Sequence, residues 1–153
     1  MEIFLWRHAE ALPGANDFER ELSPAGHRQA RKVAEWFRQR APEGLRLFVS
    51  PATRARQTVA YFHEDERDIQ FCLPLYENRA PKEILSIIGW PDMEAPTLIV
   101  GHQPQIGDIA RQLLSGASGV ESFRPSALWW LRLDDGQNNC RLVQIVDGDT
   151  LNY

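Results

Sequence analysis

Short apolar runs alternate with longer amphipathic segments along this chain. The apolar runs are four to six residues long and end at polar or turn-forming residues, which is typical of strands in a buried sheet. The four clearest runs predict central strands at Ile3–Trp6, Leu45–Val49, Thr97–Val100 and Leu128–Leu133. Two weaker runs predict further strands at Ile69–Leu73 and Leu142–Val146.

The segments between these runs have the spacing of helices. Ser23 followed by Pro24 predicts a helix start, because serine caps a helix N-terminus and proline fits the first turn. Apolar residues then recur at helical spacing through Phe37. Three more helices are predicted, each opened by a proline: Pro51 to about His63, Pro81 through Ile88, and Pro104 until Ser115-Gly116.

Strands that alternate with helices predict the α/β class. We expect a three-layer sandwich in which helices flank a mainly parallel central sheet. The 153 residues contain no linker, repeat or low-complexity segment, so residues 1–153 are expected to form a single domain. The polar, irregular segment Pro13–Glu21 is predicted to be a loop arching over the end of the first strand.

Composition excludes several classes of protein. Apolar residues make up 43% of the chain and charged residues 25%, as in ordinary globular domains. No stretch approaches the ~20 apolar residues of a membrane-spanning helix, and the N-terminus has no signal-peptide pattern, so we expect a cytoplasmic protein. A formal net charge of −4 argues against a nucleic-acid binder that depends on a basic surface. We expect the protein to be a monomer.

Polar side chains follow the three clearest strands at the point where each ends. Arg7 and His8 follow the first strand, Ser50 follows the second, and His102 follows the third after a glycine. In open α/β sheets, ligands bind beyond the carboxyl ends of parallel strands, so these side chains are expected to converge. Arg54, in the first turn of the next helix, would face the same rim.

Two imidazoles, two guanidiniums and helix N-termini suit a dianionic oxyanion such as phosphate. A neutral His8 could attack phosphorus through one ring nitrogen if the other donates to a carbonyl group. Arg7 and Arg54 would offset the charge of the transferring phosphoryl group. A zinc site built from His8, His102 and a carboxylate is disfavoured, because the adjacent arginines would repel a metal ion. No metal or cofactor is expected.

These residues resemble a known family, the histidine phosphatase (phosphoglycerate mutase-like) superfamily. Three motifs carry the resemblance in order, "LWRHAEA", "SPATRARQT" and "VGHQP", and they span essentially the whole chain. Within the superfamily, the small size, "RHAEA", "GHQPQIG" and the pattern of Asp17, Arg20 and Gly26 are most similar to the SixA-type phosphohistidine phosphatases. Ala9 replaces the glycine of the commoner Arg-His-Gly triplet.

The resemblance implies a role for each matching residue. His8 would be the phosphorylated nucleophile, and Arg7, Arg54 and His102 would complete the phosphate pocket. The residues given a supporting or substrate-binding role are Arg20, Ser50, Gln57 and Glu77. Glu77, Glu10 and Asp17 are the candidates for an acid that protonates a leaving group, and Arg20 has the alternative of pairing with Asp17.

The resemblance implies hydrolysis of phosphohistidine on a partner protein, through a phosphohistidine intermediate on the enzyme. The expected partner is a histidine-containing phosphotransfer domain of a two-component relay. A phosphohistidine substrate eases the need for an acid, because the leaving imidazole can take up a proton itself. At 153 residues the chain has few residues left to form a lid, and an open pocket suits a phosphorylated side chain of another protein. Two alternatives stay open: a small-molecule phosphomonoesterase, and a module that binds phosphate without turnover. A mutase is disfavoured, because no segment could enclose a bisphosphate.

Overall fold

The computed structural model describes residues 1–115 and 123–151, and all six predicted strands are present in it. The strands are β1 (Glu2–Arg7), β2 (Arg46–Val49), β3 (Ile69–Phe71), β4 (Thr97–Gly101), β5 (Leu128–Arg132) and β6 (Arg141–Val146). The third strand ends two residues earlier than predicted, because Leu73 already begins a helix.

The helices are α1 (Pro24–Arg38), α2 (Thr53–Ala60), α3 (Leu73–Tyr76), α4 (Pro81–Ile88) and α5 (Gln105–Leu113). Ser23 caps α1 as predicted, since its hydroxyl oxygen accepts a hydrogen bond from the Gly26 amide at 3.0 Å. Within residues 1–115 and 123–151, none of these helices has the length and apolar character needed to cross a membrane.

Two predicted helices differ in their bounds, and one further helix was missed. The second helix begins at Thr53 rather than Pro51, with Ala52 as its N-cap. The short α3 was not predicted, because four residues give too little periodicity to detect. The last predicted helix ends at Leu113, two residues before Ser115 of the predicted Ser115-Gly116 stop; Gly116 itself lies outside the described residues.

The sheet is mixed, with the strand order β3-β2-β4-β1-β5-β6. The pairings among β3, β2, β4 and β1 are parallel, whereas β5 and β6 add two antiparallel pairings. The prediction of a mainly parallel sheet is confirmed for the half that carries the polar strand ends. The antiparallel half also has a consequence for the site, because β5 places the segment before it directly beside the end of β1.

Helices cover both faces of the sheet, so the predicted three layers are confirmed. Side chains of β1 alternate between two cores: Ile3 and Leu5 pack with residues of α3, α4 and α5, and Phe4 and Trp6 pack with residues of α1 and α2. All four side chains are fully buried. β1 is therefore held on both faces as well as on both edges.

Gly26 explains how α1 approaches the segment after β1. A Cβ atom at this position would lie 2.0 Å from the Glu10 carbonyl oxygen, a distance that no side chain can tolerate. The absence of a side chain lets the first turn of α1 lie against the backbone that follows His8 and Ala9. The glycine noted in the sequence thus has a steric role in placing α1.

Candidate active site

The carboxyl ends of β2, β4 and β1 lie side by side and bring the predicted polar residues together. The His8 amide donates to the Gly101 carbonyl oxygen at 3.0 Å, and the Ser50 amide donates to the Val100 carbonyl oxygen at 3.0 Å. These bonds continue the parallel ladder by one residue beyond β1 and β2. As expected from the strand pattern, the side chains of His8, Ser50 and His102 therefore share one rim.

His8 is held in one tautomer. Its Nδ1 lies 2.7 Å from the Ala9 carbonyl oxygen, and because a carbonyl can only accept, Nδ1 must carry the hydrogen. The lone pair is then on Nε2. Burial lowers the pKa of His8 to about 3, and the positive charges of Arg54 and Arg7 act in the same direction. The imidazole is therefore neutral at pH 7 and has a nucleophilic nitrogen.

His102 lies beside His8, with 5.0 Å between the ring centroids. Its Nε2 is 2.7 Å from the hydroxyl oxygen of Ser50, which is fully buried. Burial, reinforced by the charge of Arg54, lowers the pKa of His102 to about 4. Ser50 is thus the hydrogen-bond partner of the second imidazole, while its supporting role in catalysis stays a prediction.

Two guanidinium groups border the histidines. Arg7 donates from Nη1 to the Phe123 carbonyl oxygen at 2.6 Å, and burial lowers the pKa of Arg7. Arg54 is only 7% exposed and donates from Nη1 to the backbone oxygen of Asp17 at 2.7 Å. The Nε atoms of both arginines are buried and have no hydrogen-bond partner in the described parts of the chain.

The site is arranged to hold an anion. The unpartnered buried nitrogens include Arg7 Nε, Arg54 Nε and His102 Nδ1, and buried polar atoms normally have partners. The N-cap of α2 is Ala52, which offers no side-chain acceptor to the first-turn amides. No group of three or more His, Cys, Asp or Glu side chains within residues 1–115 and 123–151 is placed to hold a metal ion. Guanidinium and imidazole groups of this kind can bind a tetrahedral oxyanion.

Asp17 connects the predicted loop to the site. Its carboxylate accepts hydrogen bonds from Arg20 at 3.1 Å, Tyr76 at 3.0 Å and Arg54 at 3.2 Å. The bond from Arg20 is the main cause that lowers the pKa of Asp17 to about 2. The loop over the first strand includes one 3-10 turn, Asp17–Glu19. Arg20 forms the predicted pair with Asp17, while its contact with a substrate stays a prediction.

Two predicted residues have their contacts outside this cluster. Gln57 accepts from the Leu22 amide at 2.8 Å and donates to Glu21 at 3.3 Å, so it fastens the end of the loop to α2. Glu77 is half exposed and its partner is Arg79, at 3.9 Å. In the described chain, no hydrogen bond or ion pair joins Glu77 to His8 or His102.

The sequence pattern missed three contributors. Tyr76 bonds to Asp17, the Phe123 carbonyl receives Arg7, and the Ser126 amide donates to the His8 carbonyl oxygen at 3.1 Å. Ser126 is fully buried with a φ of 63°, a conformation unusual for serine. Phe123 and Ser126 contact Arg7 and His8 across more than a hundred residues of sequence. The predicted strand that follows them was the only feature of the sequence that could have indicated these contacts.

Stability should fall as the pH is lowered from about 6.5 to 4. Unfolded histidines titrate near pH 6.5, whereas His8 and His102 hold pKa values of about 3 and about 4 in the folded protein. In that window the unfolded state binds protons that the folded state does not, so acid favours unfolding, with a limit of about 1.4 kcal/mol per pH unit for each histidine. Below pH 4, protonation of Asp17 adds to the loss, because its pKa is also lowered.

Urea denaturation at pH 7.0, 6.0 and 5.0 measures this slope in the free energy of unfolding. The His8→Asn variant removes one of the two groups and should have a slope smaller by about one proton, or about 1.4 kcal/mol per pH unit at most. An identical slope in the two proteins would contradict the expectation.

Comparison with known proteins identifies the family of this chain. Residues 3–85 match the model of the histidine phosphatase superfamily, branch 1. The chain belongs to this superfamily. It is 27% identical to the phosphohistidine phosphatase SixA of Escherichia coli over 90% of this chain and 89% of that protein. A Mycobacterium tuberculosis protein of unassigned function is 34% identical over 76% of this chain and 73% of that protein.

A solved structure confirms the predicted fold of this superfamily member. The protein histidine phosphatase SixA in complex with tungstate matches with a TM-score of 0.78, 23% identity, and coverage of 97% of this chain and 98% of that one. The superfamily resemblance, drawn from three motifs, and the SixA-like character, drawn from chain size and further residues, are both confirmed. Phosphatase activity is the activity that membership in this superfamily indicates.

Proposed function

We propose that this phosphatase hydrolyses phosphohistidine on a partner protein, with His8 as the nucleophile. The observation that carries the proposal is the 2.7 Å contact between His8 Nδ1 and the Ala9 carbonyl oxygen. It fixes the proton on Nδ1 and leaves the Nε2 lone pair available beside Arg7 and Arg54. This is the geometry that a histidine needs in order to accept a phosphoryl group.

The first step transfers the phosphoryl group from one imidazole to another. The His8 Nε2 lone pair forms a bond to phosphorus while the P–N bond of the substrate breaks and its electrons return to the leaving nitrogen. If the second nitrogen of the substrate ring is protonated, the ring departs as neutral imidazole and no further proton is needed. His8 becomes an N-phosphoimidazolium, with its proton still on Nδ1, facing Ala9.

The second step returns the enzyme to its initial state. A water molecule attacks phosphorus, the bond to His8 Nε2 breaks, and both hydrogens of the water leave with the phosphate as dihydrogen phosphate. His8 is again neutral. Arg7, Arg54 and His102 would hold the phosphoryl oxygens in both steps, where fixed positive charge and positioning supply most of the rate enhancement.

The carboxylates around the site favour a P–N bond over a P–O bond. An alkoxide leaving group needs a proton donor, and the three acid candidates are poorly suited to donate. Glu77 pairs with Arg79, Glu10 accepts from Ser23 at 2.6 Å, and the lowered pKa of Asp17, about 2, keeps it ionised. An imidazole that carries its own proton avoids this requirement.

The relatives support the same substrate class. The Escherichia coli relative is named a phosphohistidine phosphatase, and the SixA structure holds tungstate, an oxyanion with the shape of phosphate. The rim is also accessible, since the side chain of Asp17 beside Arg54 is 55% exposed. A phosphotransfer domain, which carries phosphohistidine on its surface, is the proposed partner.

The test offers the purified protein two kinds of substrate and follows phosphate release. One is a histidine-phosphorylated phosphotransfer domain, and the other is a panel of small phosphomonoesters. Rapid discharge of the phosphorylated domain with slow turnover of the panel is expected. The reverse pattern would make this a metabolite phosphatase, with Glu77→Gln as the next variant. Phosphate binding without release from any substrate would identify a non-catalytic module.

A further inference from the structure

Four aromatic rings form a continuous row of contacts that leads out of the site. His8 and His102 are 5.0 Å apart between ring centroids, His102 and Tyr76 are 5.9 Å apart, and Tyr76 and Phe18 are 5.0 Å apart. The last two contacts are edge-to-face, with interplanar angles of 73° and 88°. All four rings are partly exposed, so the row lies along the open rim of the site and ends at Phe18.

The outer half of the row is fixed relative to the phosphate-binding groups. The Tyr76 hydroxyl donates to Asp17 Oδ2, the same oxygen that receives Arg54 Nη2. Phe18 follows Asp17 directly in the chain and lies within the same 3-10 turn. One carboxylate therefore sets the distance between the guanidinium of Arg54 and the aromatic pair, which for brevity we call the Phe18–Tyr76 wall.

We propose that the Phe18–Tyr76 wall binds the leaving imidazole ring of the substrate and makes the enzyme selective for phosphohistidine. This inference rests on the proposed function and assigns it two specificity-determining residues. In an in-line transfer the leaving group lies on the side of phosphorus opposite the nucleophile. Tyr76 and Phe18 are the rings that lie beyond His102 in the row that starts at His8.

The physical basis is the shape and charge of an imidazole ring. A flat ring that enters between the edge of His102 and the surface gains aromatic contact with Tyr76 and Phe18, whereas an alkyl phosphate or a bare phosphoramidate has no π surface to offer. A protonated substrate ring is attracted by the aromatic faces and the Asp17 carboxylate but repelled by Arg20 and Arg54, both of which pair with that carboxylate. The wall is therefore expected to recognise the ring through its π surface in either protonation state.

The test compares two small P–N substrates, N-phosphoimidazole, which releases an imidazole ring, and phosphoramidate, which releases ammonia; comparing variants cancels their intrinsic difference in reactivity. The measured quantity is the ratio of their kcat/KM values. Tyr76→Ala and Phe18→Ala should each lower this ratio about three- to tenfold, which is the range for an aromatic contact. Tyr76→Phe keeps the ring and should preserve most of the ratio. Tyr61→Phe, which removes a hydroxyl bonded to His27, is the matched control.

The possible outcomes distinguish the role of the Phe18–Tyr76 wall from the proposed function of the enzyme. An unchanged ratio in Tyr76→Ala and Phe18→Ala, including an equal fall for both substrates, would overturn the assignment and leave the proposed function standing. Failure of the unaltered enzyme to release phosphate from N-phosphoimidazole and from a phosphorylated phosphotransfer domain would overturn the proposed function, and this inference with it. A ratio lost in the alanine variants and kept in Tyr76→Phe would support the wall.

Discussion

Replacing His8 with asparagine should abolish phosphatase turnover, with a fall in kcat of roughly 10⁴-fold or more, the scale seen when a covalent nucleophile is removed. Asparagine has no ring nitrogen at the position of Nε2, so no phosphoenzyme can form. The fold should persist, because the neighbours of His8 contact its backbone: its amide bonds to Gly101 and its carbonyl to Ser126.

Two measurements check this result. The first is kcat on a phosphorylated phosphotransfer domain, with circular dichroism as the test of folding. His63→Asn, at a partly exposed histidine that pairs with Asp68, is the matched control and should retain activity. The second is rapid-quench labelling with ³²P substrate. Acid-labile, alkali-stable label should appear in the unaltered enzyme and be absent from His8→Asn. Normal turnover in a folded His8→Asn protein would contradict a mechanism in which His8 is the nucleophile.

The second large effect is expected at Arg54. Arg54→Ala should lower kcat/KM by about 10³-fold, the lower end of the range for an arginine that neutralises a transferring phosphoryl group. The guanidinium is 7% exposed and its Nε has no partner in the described chain, so an oxyanion would gain a charge-assisted bond in a poorly solvated place. Arg54→Lys restores the charge without the planar fork and should recover only part of the loss.

Arg56 offers a matched control on the same helix. It lies two residues further along α2, is exposed, and pairs with Glu66 at 2.5 Å, away from His8. Arg56→Ala should keep nearly full activity. Calorimetric titration with orthophosphate separates binding from chemistry, because Arg54→Ala should weaken phosphate binding and Arg56→Ala should not. Equal losses in the two variants would show that α2 matters only through overall charge.

The inner part of the site could be predicted because it follows from local pattern. Arg7, His8 and His102 each come directly after an apolar run or one residue later, and parallel strands necessarily bring such positions to one edge. Arg54 follows from the helix that starts after Ser50. The motif match then supplied the expected roles, and the geometry is compatible with them.

The outer part of the site could not be predicted, since it depends on contacts between distant segments. The α3 helix is too short to have a periodic signal, so Tyr76 was overlooked although its neighbour Glu77 was named. The partners of Arg7 and His8 at Phe123 and Ser126 arise from the antiparallel addition of β5, which no local pattern near residue 7 indicates. Glu77 lies in the stretch of sequence where an acid was expected, but sequence position does not predict where a side chain points, and Glu77 pairs with Arg79.

The position of His8 at the end of β1 places it in a well-packed part of the site, which differs from the rim around it. β1 pairs with β4 on one edge and with β5 on the other and contributes side chains to both cores, so the strand that leads to His8 is expected to open together with the sheet. In the rim, Leu75 of α3 is buried in the core and Asp17 is bonded to Arg54, whereas Phe18 and Tyr76 are partly exposed. Substitutions at Phe18 or Tyr76 are therefore expected to change which phosphorylated group is accepted at a smaller cost to the sheet than substitutions in β1.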